Sequence, residues 1–125
     1  MITKITQNIG TTEAKIYTCP SAKNSTLSRA SITNISNADI TFDIRYYNAS
    51  ENATIYLIKN GVLSTGQLYS TVSSTNTLVL NANDYIAVLS SIDSSVDALV
   101  TYEESDVWWF HIGKIVLDNR CIFLV

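Results

Sequence analysis

The chain has 125 residues, of which 46% are apolar and 15% charged, and its formal net charge is −3. This length suffices for one domain with a hydrophobic core but not for two, and the apolar content excludes an intrinsically disordered chain. The charges are spread without a basic patch, so we expect no nucleic-acid partner. The first residues lack the apolar stretch of a signal peptide, so we expect synthesis in a cytoplasm without secretion.

Apolar residues recur at every second position, which indicates strands rather than helices. In the segment LSRASITNIS we predict that Ala30 and Ile32 point inward, and that Arg29, Ser31 and Thr33 point outward.

The next segment, DITFDIRYY, has the clearest alternation in the chain and predicts a half-buried strand. The polar residues of NISNAD separate the two segments and are typical of a turn. We therefore predict that the two strands form a hairpin. The predicted inward residues of the second strand are Ile40, Phe42, Ile44 and Tyr46.

Further strands follow along the chain. In ATIYLIKNGVLSTG, Asn60 and Gly61 both accept the positive φ of a type I′ turn, so residues 55–59 are predicted to pair with the segment starting at Val62. NTLVLNANDYIAVLSS predicts two strands around a turn at 81–84. DALVTYEE predicts a strand with Leu99 and Val100 on opposite faces.

Short strands at roughly ten-residue spacing, separated by polar turns, predict an all-β fold, an antiparallel β-sandwich of jelly-roll or immunoglobulin-like type. About eight strands are expected in residues 1–105, and residues 106–125 are expected to be an apolar C-terminal strand extension. The sequence leaves the choice between the two topologies open.

The extension, DVWWFHIGKIVLDNRCIFLV, contains Lys114, Asp118 and Arg120, so it is not expected to cross a membrane. It predicts short strands at 107–112, 114–117 and 120–125. Exposed apolar strand edges aggregate, so the extension is expected to pack on its own sheet or on a neighbouring subunit. The candidate interface residues are Val107, Trp108, Trp109, Phe110, Ile112, Ile122, Phe123, Leu124 and Val125.

Burial of Trp108, Trp109 and Phe110 in this extension is expected to remove a large apolar area from water. Aromatic side chains bury about 150–250 Å² each. At about 25 cal/mol per Å² of apolar surface, this amounts to on the order of 10 kcal/mol before the cost of ordering the chain.

No catalytic constellation, metal site or cofactor motif is visible, so we expect a protein that is not an enzyme. His111 has no companion ligand and is expected to be a packing residue. Asp93 and Asp97 are close in sequence, but a calcium site needs six to eight oxygens, and we expect solvated charges instead. Cys19 and Cys121 are expected to be buried free thiols, as are many unpaired cysteines.

A sugar-binding role is the alternative function. Seven tyrosines and two tryptophans provide rings on which a sugar could stack, and Trp108 and Trp109 are the candidate platform. The loop from Asn48 to Asn52 is the second candidate contact surface.

The segment KIYTCPSAKNSTLSRASITNIS resembles the opening of small virion proteins of tailed bacteriophages. The later stretches YLIKNGVLSTGQL, LVLNANDYIAVLSS and DALVTYEE are similar to their middle hairpin, their Gly-Asp segment and their closing strand. The resemblance covers residues 13–104, with Asn83 where a glycine is expected, and it does not include the extension. The matching residues of the opening are Tyr17, Pro20, Ala22, Lys23, Ile32 and Asn34.

The resemblance implies a structural protein of the virion, in a capsid-decoration, neck, baseplate or tail-fibre position. It implies that the partners are copies of the same chain, with a trimer favoured, and other virion proteins. At a tail tip the implied alternative is a module that binds a host receptor or a surface glycan.

Overall fold

The computed structural model describes residues 1–72 and 75–106, and this part of the chain contains no helix that could cross a membrane. The described residues contain nine strands. They are β1 (Ile2–Ile9), β2 (Ala14–Thr18), β3 (Lys23–Asn34), β4 (Ile40–Asn48), β5 (Ala53–Leu63), β6 (Leu68–Val72), β7 (Leu78–Leu80), β8 (Tyr85–Ser90) and β9 (Val96–Asp106).

The strands form two antiparallel sheets that pack into a sandwich, which confirms the predicted fold class. The first sheet has the order β1-β9-β3-β6, with β7 also paired to β3, and the second has the order β2-β8-β4-β5. The pairs are nested: β1 pairs β9, β2 pairs β8, β3 pairs β6 and β7, and β4 pairs β5. A long hairpin rolled up in this way is a jelly roll, so the structure decides between the two topologies.

The predicted hairpin between β3 and β4 is wrong, because these strands lie in different sheets. The segment between them is a crossover organised by Asn34, which is 0% exposed. Its amide nitrogen donates to the carbonyl oxygens of Ala38, at 2.8 Å, and Leu63, at 3.0 Å. Its carbonyl oxygen accepts the Ser36 backbone N–H at 2.9 Å. The polar residues therefore serve a crossover between layers and not a hairpin turn.

The predicted turn at Asn60 and Gly61 is also wrong, because β5 runs through both residues. Phe42 pairs with Gly61 and Ile44 pairs with Ile58, which leaves one extra residue on β5. Asn60 has φ 54°, and its N–H donates to the Asp43 carboxylate at 2.8 Å. The positive φ that the sequence indicates is thus used for a β-bulge.

The inward positions of the sheets form the core. Ala30, Ile32 and Phe42 are each at most 2% exposed, as the alternation predicts, whereas Ser31, predicted to point outward, is only 5% exposed. Cys19 is a fully buried free thiol, as predicted, and burial raises its pKa. Cys121 lies outside the described residues.

A buried carboxylate connects two turns at one end of the sandwich. Asp84 is 1% exposed and accepts the Tyr46 hydroxyl and the Ala49 N–H, each at 2.8 Å. It also accepts the Asn81 N–H at 2.9 Å. Three donors on one carboxylate hold the β4–β5 turn against the β7–β8 turn.

Replacing Gly61 by alanine should destabilise the protein. A Cβ at this position would lie 2.8 Å from Phe42 Cζ and 2.8 Å from Ile58 Cδ1. We expect a loss of about 1–3 kcal/mol in the free energy of unfolding, as for other overpacked cores, measured by urea titration. Val62→Ala is the control, because Val62 is 72% exposed and its truncation should cost less than about 0.5 kcal/mol. Equal stability of the two variants would contradict this packing.

The protein should lose stability at alkaline pH in part through Tyr46. Burial, and then the hydrogen bond to Asp84, raise the pKa of Tyr46 from 10.0 to about 12. The neutral phenol is favoured in the fold, so its contribution is complete below pH 10 and is lost as the pH rises towards 12. We expect Tyr46→Phe to flatten the fall of the unfolding free energy above pH 10, measured by urea titration from pH 7 to 11. An unchanged pH profile would contradict this role.

Candidate functional site: the open edge of the first sheet

The sequence-predicted interface residues, from Val107 to Val125, lie outside the described residues. The structure does describe Asp106, the residue that precedes that segment. Asp106 ends β9 and is paired with Lys23 of β3, with 2.7 Å between Lys23 Nζ and Asp106 Oδ1. On the other side of β9, Ile2 of β1 pairs with Tyr102. Strand β9 therefore extends four residues past Ile2, about 13 Å at the usual rise per residue.

Among the strands that the structure describes, β1 pairs with β9 alone and so forms one open edge of the first sheet. Its pairing is regular from Ile2 to Thr6, with a shift only between Thr6 and Ile9. The other edges that the structure describes are less suited to pairing. β2 has five residues and a register shift, β5 has two shifts, and β6 and β7 are short. Bulges and short length are common ways in which proteins protect an edge.

Strand β1 exposes one isoleucine on each face of the sheet, among otherwise polar residues. Ile5 is 64% exposed and pairs with Leu99, whose side chain points away from the core. Ile2 is 49% exposed and pairs with Tyr102, which packs against the core. A residue of β1 lies on the same face of the sheet as the residue directly opposite it on β9. Because Leu99 and Tyr102 lie on opposite faces, Ile5 and Ile2 do so as well. Lys4 is the single charged residue of the strand and so its only charged protection against pairing.

The far end of β1 is held by two carboxylates that the sequence offers as calcium candidates. Asp97 accepts the Asn8 N–H at 3.0 Å, and Asp93 accepts the Thr11 hydroxyl at 2.9 Å. The backbone and side-chain hydrogen bonds from Thr11 lower the pKa of Asp93. Within residues 1–72 and 75–106, no group of three or more His, Cys, Asp and Glu side chains could hold a metal ion. These carboxylates therefore anchor the β1–β2 connection.

The acidic residues near the end of β9 also have structural partners. Glu104 accepts the Tyr17 hydroxyl at 2.7 Å, and Tyr17 shares a hydrogen bond with Ser25. The Ser25 hydroxyl donates to Cys19 Sγ at 3.2 Å. Burial raises the pKa of both Tyr17 and Cys19, so both side chains are neutral at pH 7 and neither is an activated nucleophile.

Three tyrosines on the outer face of the second sheet contact one another or a cation. The rings of Tyr47 and Tyr85 stack with their centroids 4.8 Å apart, and Lys15 Nζ lies 4.4 Å from the Tyr85 centroid. The Arg45 guanidinium lies 5.3 Å from the Tyr56 ring centroid. Each of these rings therefore already has a contact on one side. The sugar platform predicted from the sequence, Trp108 and Trp109, lies outside the described residues.

The loop from Asn48 to Asn52, the second predicted sugar contact, is held together by its own side chains. The Asn48 side-chain oxygen accepts the Ser50 hydroxyl at 2.8 Å and the Glu51 N–H at 3.1 Å. Asn52 has φ 51° and accepts the Tyr47 hydroxyl at 2.8 Å. These asparagines therefore stabilise the β4–β5 turn.

No family model and no curated protein matches the chain. One similar solved structure is of Bacillus endospore appendages, described as a novel family of disulfide-linked pili. It is 13% identical with a TM-score of 0.46, over 85% of this chain and 91% of that chain. A structure of infectious bursal disease virus, Gt strain, is 10% identical with a TM-score of 0.30, over 82% of this chain and 35% of that chain. This chain thus spans about a third of the viral chain, and neither likeness assigns it a function.

Proposed function

We propose that the chain is a structural component of a tailed-phage virion, in a capsid-decoration, neck, baseplate or tail position, and that it acts by assembly and not by catalysis. Its partners are copies of itself, with a trimer favoured, and other virion proteins. The observation that carries the proposal is the open β1 edge, where Ile2 and Ile5 are exposed beside the end of β9. An open edge with a regular register and exposed isoleucines favours pairing with another chain.

The polar groups of the described residues support the same conclusion. The buried polar side chains of Asn34, Asp84 and Ser25 are all engaged in hydrogen bonds that hold turns and strands. Such residues stabilise a rigid module. We therefore expect the protein to act through surface contacts. The β1 edge is the described surface best suited to such contacts.

The protein should form a homo-oligomer in solution through this edge. We expect light scattering after size-exclusion chromatography to give a multiple of the monomer mass, and mass spectrometry to find the chain in purified phage particles. Replacing Ile2 and Ile5 together by lysine should weaken association by about tenfold or more. Each lysine would place a charge against the strand that pairs with β1. Val62→Lys is the matched control, since Val62 is 72% exposed on the edge strand β5.

Two outcomes would overturn the proposal. One is a monomer at all concentrations together with absence of the chain from particles. The other is a monomer that binds specific sugars on a glycan array, which would establish the alternative of a receptor- or glycan-binding module at a tail tip.

A further inference from the structure

We propose that the outer face of the second sheet docks an acidic surface of a different virion protein. This inference rests on the proposed function and names the chemistry of one partner surface. The face belongs to the sheet that does not contain β1, so it is separate from the β1 edge. We call it the tyrosine–cation face, and its members are Lys15, Arg45, Lys59, Tyr47, Tyr56 and Tyr85.

The pairing of four neighbouring strands builds this face. Lys15 of β2 and Arg45 of β4 both pair with Ala87 of β8, and Arg45 also pairs with Tyr56 of β5. Directly opposed residues lie on the same side of a sheet, so these side chains form one row across all four strands. With about 4.8 Å between strands, the row is about 14 Å wide. This width suits a protein surface better than a single small ligand.

The tyrosine–cation face has more cations than carboxylates, although the whole chain has a net charge of −3. Arg45 forms ion pairs with Glu13, at 3.0 Å, and with Asp43, at 3.9 Å. Lys15 and Lys59 are exposed, and neither forms an ion pair with any residue in the ranges 1–72 and 75–106. The face therefore presents two ammonium groups that lack a carboxylate partner within the described chain.

The Arg45 guanidinium also keeps hydrogen-bond donors available. Its Nη1 donates to Glu13 at 3.0 Å, which holds the group in place. The distance of 3.9 Å from Nη2 to Asp43 is too long for a hydrogen bond. The buried Nε has no hydrogen-bond partner among the described residues. A carboxylate from a partner would supply the acceptor that Nη2 lacks, since arginine binds carboxylates with several donors at once.

The aromatic rings hold the cations in position before a partner binds. Lys15 Nζ lies 4.4 Å from the Tyr85 centroid, and Lys59 Nζ lies 4.9 Å from the Tyr56 centroid. Tyr85 in turn stacks on Tyr47, with 4.8 Å between the ring centroids. Side chains that are already ordered lose less conformational freedom on docking. Tyrosine and arginine are also enriched at protein interfaces and among the residues that contribute most to binding.

A second copy of the chain offers a poor partner for this face. Outside the face, most carboxylates of the described residues are already bound by donors of the same chain, namely those of Asp39, Asp84, Asp93, Asp97, Glu104 and Asp106. Glu51 and Glu103 are the two that have neither a hydrogen bond nor an ion pair there. Glu51 lies in the β4–β5 turn and Glu103 lies on β9 of the other sheet, so one docked copy does not present both. The charges therefore favour a different protein.

Crosslinking of purified phage particles with a carbodiimide tests the proposal, because this reagent joins an amine directly to a neighbouring carboxylate. Lys23 and Asp106 are the internal control, since their 2.7 Å ion pair should crosslink within the chain. We expect mass spectrometry to find Lys15 or Lys59 joined to an aspartate or glutamate of another virion protein.

Two crosslinking results would overturn the proposal. One is a set of links from these two lysines that lead only to carboxylates of this same sequence. The other is the control link between Lys23 and Asp106 without any link to another protein. In both cases an oligomer by light scattering leaves the proposed function intact. Absence of the chain from particles contradicts the proposed function, and the inference is then decided by titration of the isolated protein.

The titration uses the full chain and poly-L-glutamate, at about 150 mM salt, where charges are screened beyond about 8 Å. Lys59→Glu should weaken binding by about fivefold or more, because it replaces a cation of the face with a like charge to the probe. Arg29→Glu is the matched control, an exposed cation on β3 of the first sheet. The two sheets pack about 10 Å apart, so this reversal should change the affinity by less than about twofold.

The titration has three outcomes that would contradict the proposal. Equal effects of the two variants show that the probe does not use the tyrosine–cation face. No binding of poly-L-glutamate shows that the face does not take an acidic chain. Binding of heparin without binding of poly-L-glutamate assigns the face to an anionic polysaccharide instead of a protein. An unchanged midpoint of urea unfolding in both variants confirms that the comparison is made on folded proteins.

Discussion

The pairing of β3 with β9 is the interaction on which the rest of the structure depends. The two strands are paired from Lys23 and Asp106 at one end to Asn34 and Val96 at the other. This long ladder forms the middle of the first sheet, and its inward residues make much of the core. It also brings distant parts of the sequence together and sets the edge to which β1 is added. Because β9 stays paired up to Asp106, the ladder fixes the place and direction in which the C-terminal extension begins.

The sequence predicts the strands better than their partners. Period-two alternation identifies β4 and its inward residues correctly, because burial of one face leaves a local pattern. Both predicted hairpins are wrong, since polar turn residues such as Asn34 and Asn60 are equally suited to a crossover and to a bulge. A jelly roll pairs its first strand with its last, and no local pattern in the sequence records that pairing.

The sequence indicates the apolar extension but not the open edge strand β1. The extension is evident from its composition, whereas β1 has no alternating pattern, because seven of its eight residues are not buried. A strand at an open edge has no covered face to leave a signal, so it resembles a polar loop in the sequence. Ile2 and Ile5 are isolated apolar residues in the sequence. The face of the sheet on which each one lies follows only from its pairing with β9.

The jelly roll leaves one regular edge strand without a second partner in the part of the chain that the structure describes. An open sandwich always ends in edge strands, and those of the second sheet are short or bulged. The register shift of β1 lies beyond Thr6, so residues 2–6 have neither protection, and a single lysine is a weak barrier to aggregation. A partner segment that covered this edge in every copy would convert an aggregation hazard into a defined contact.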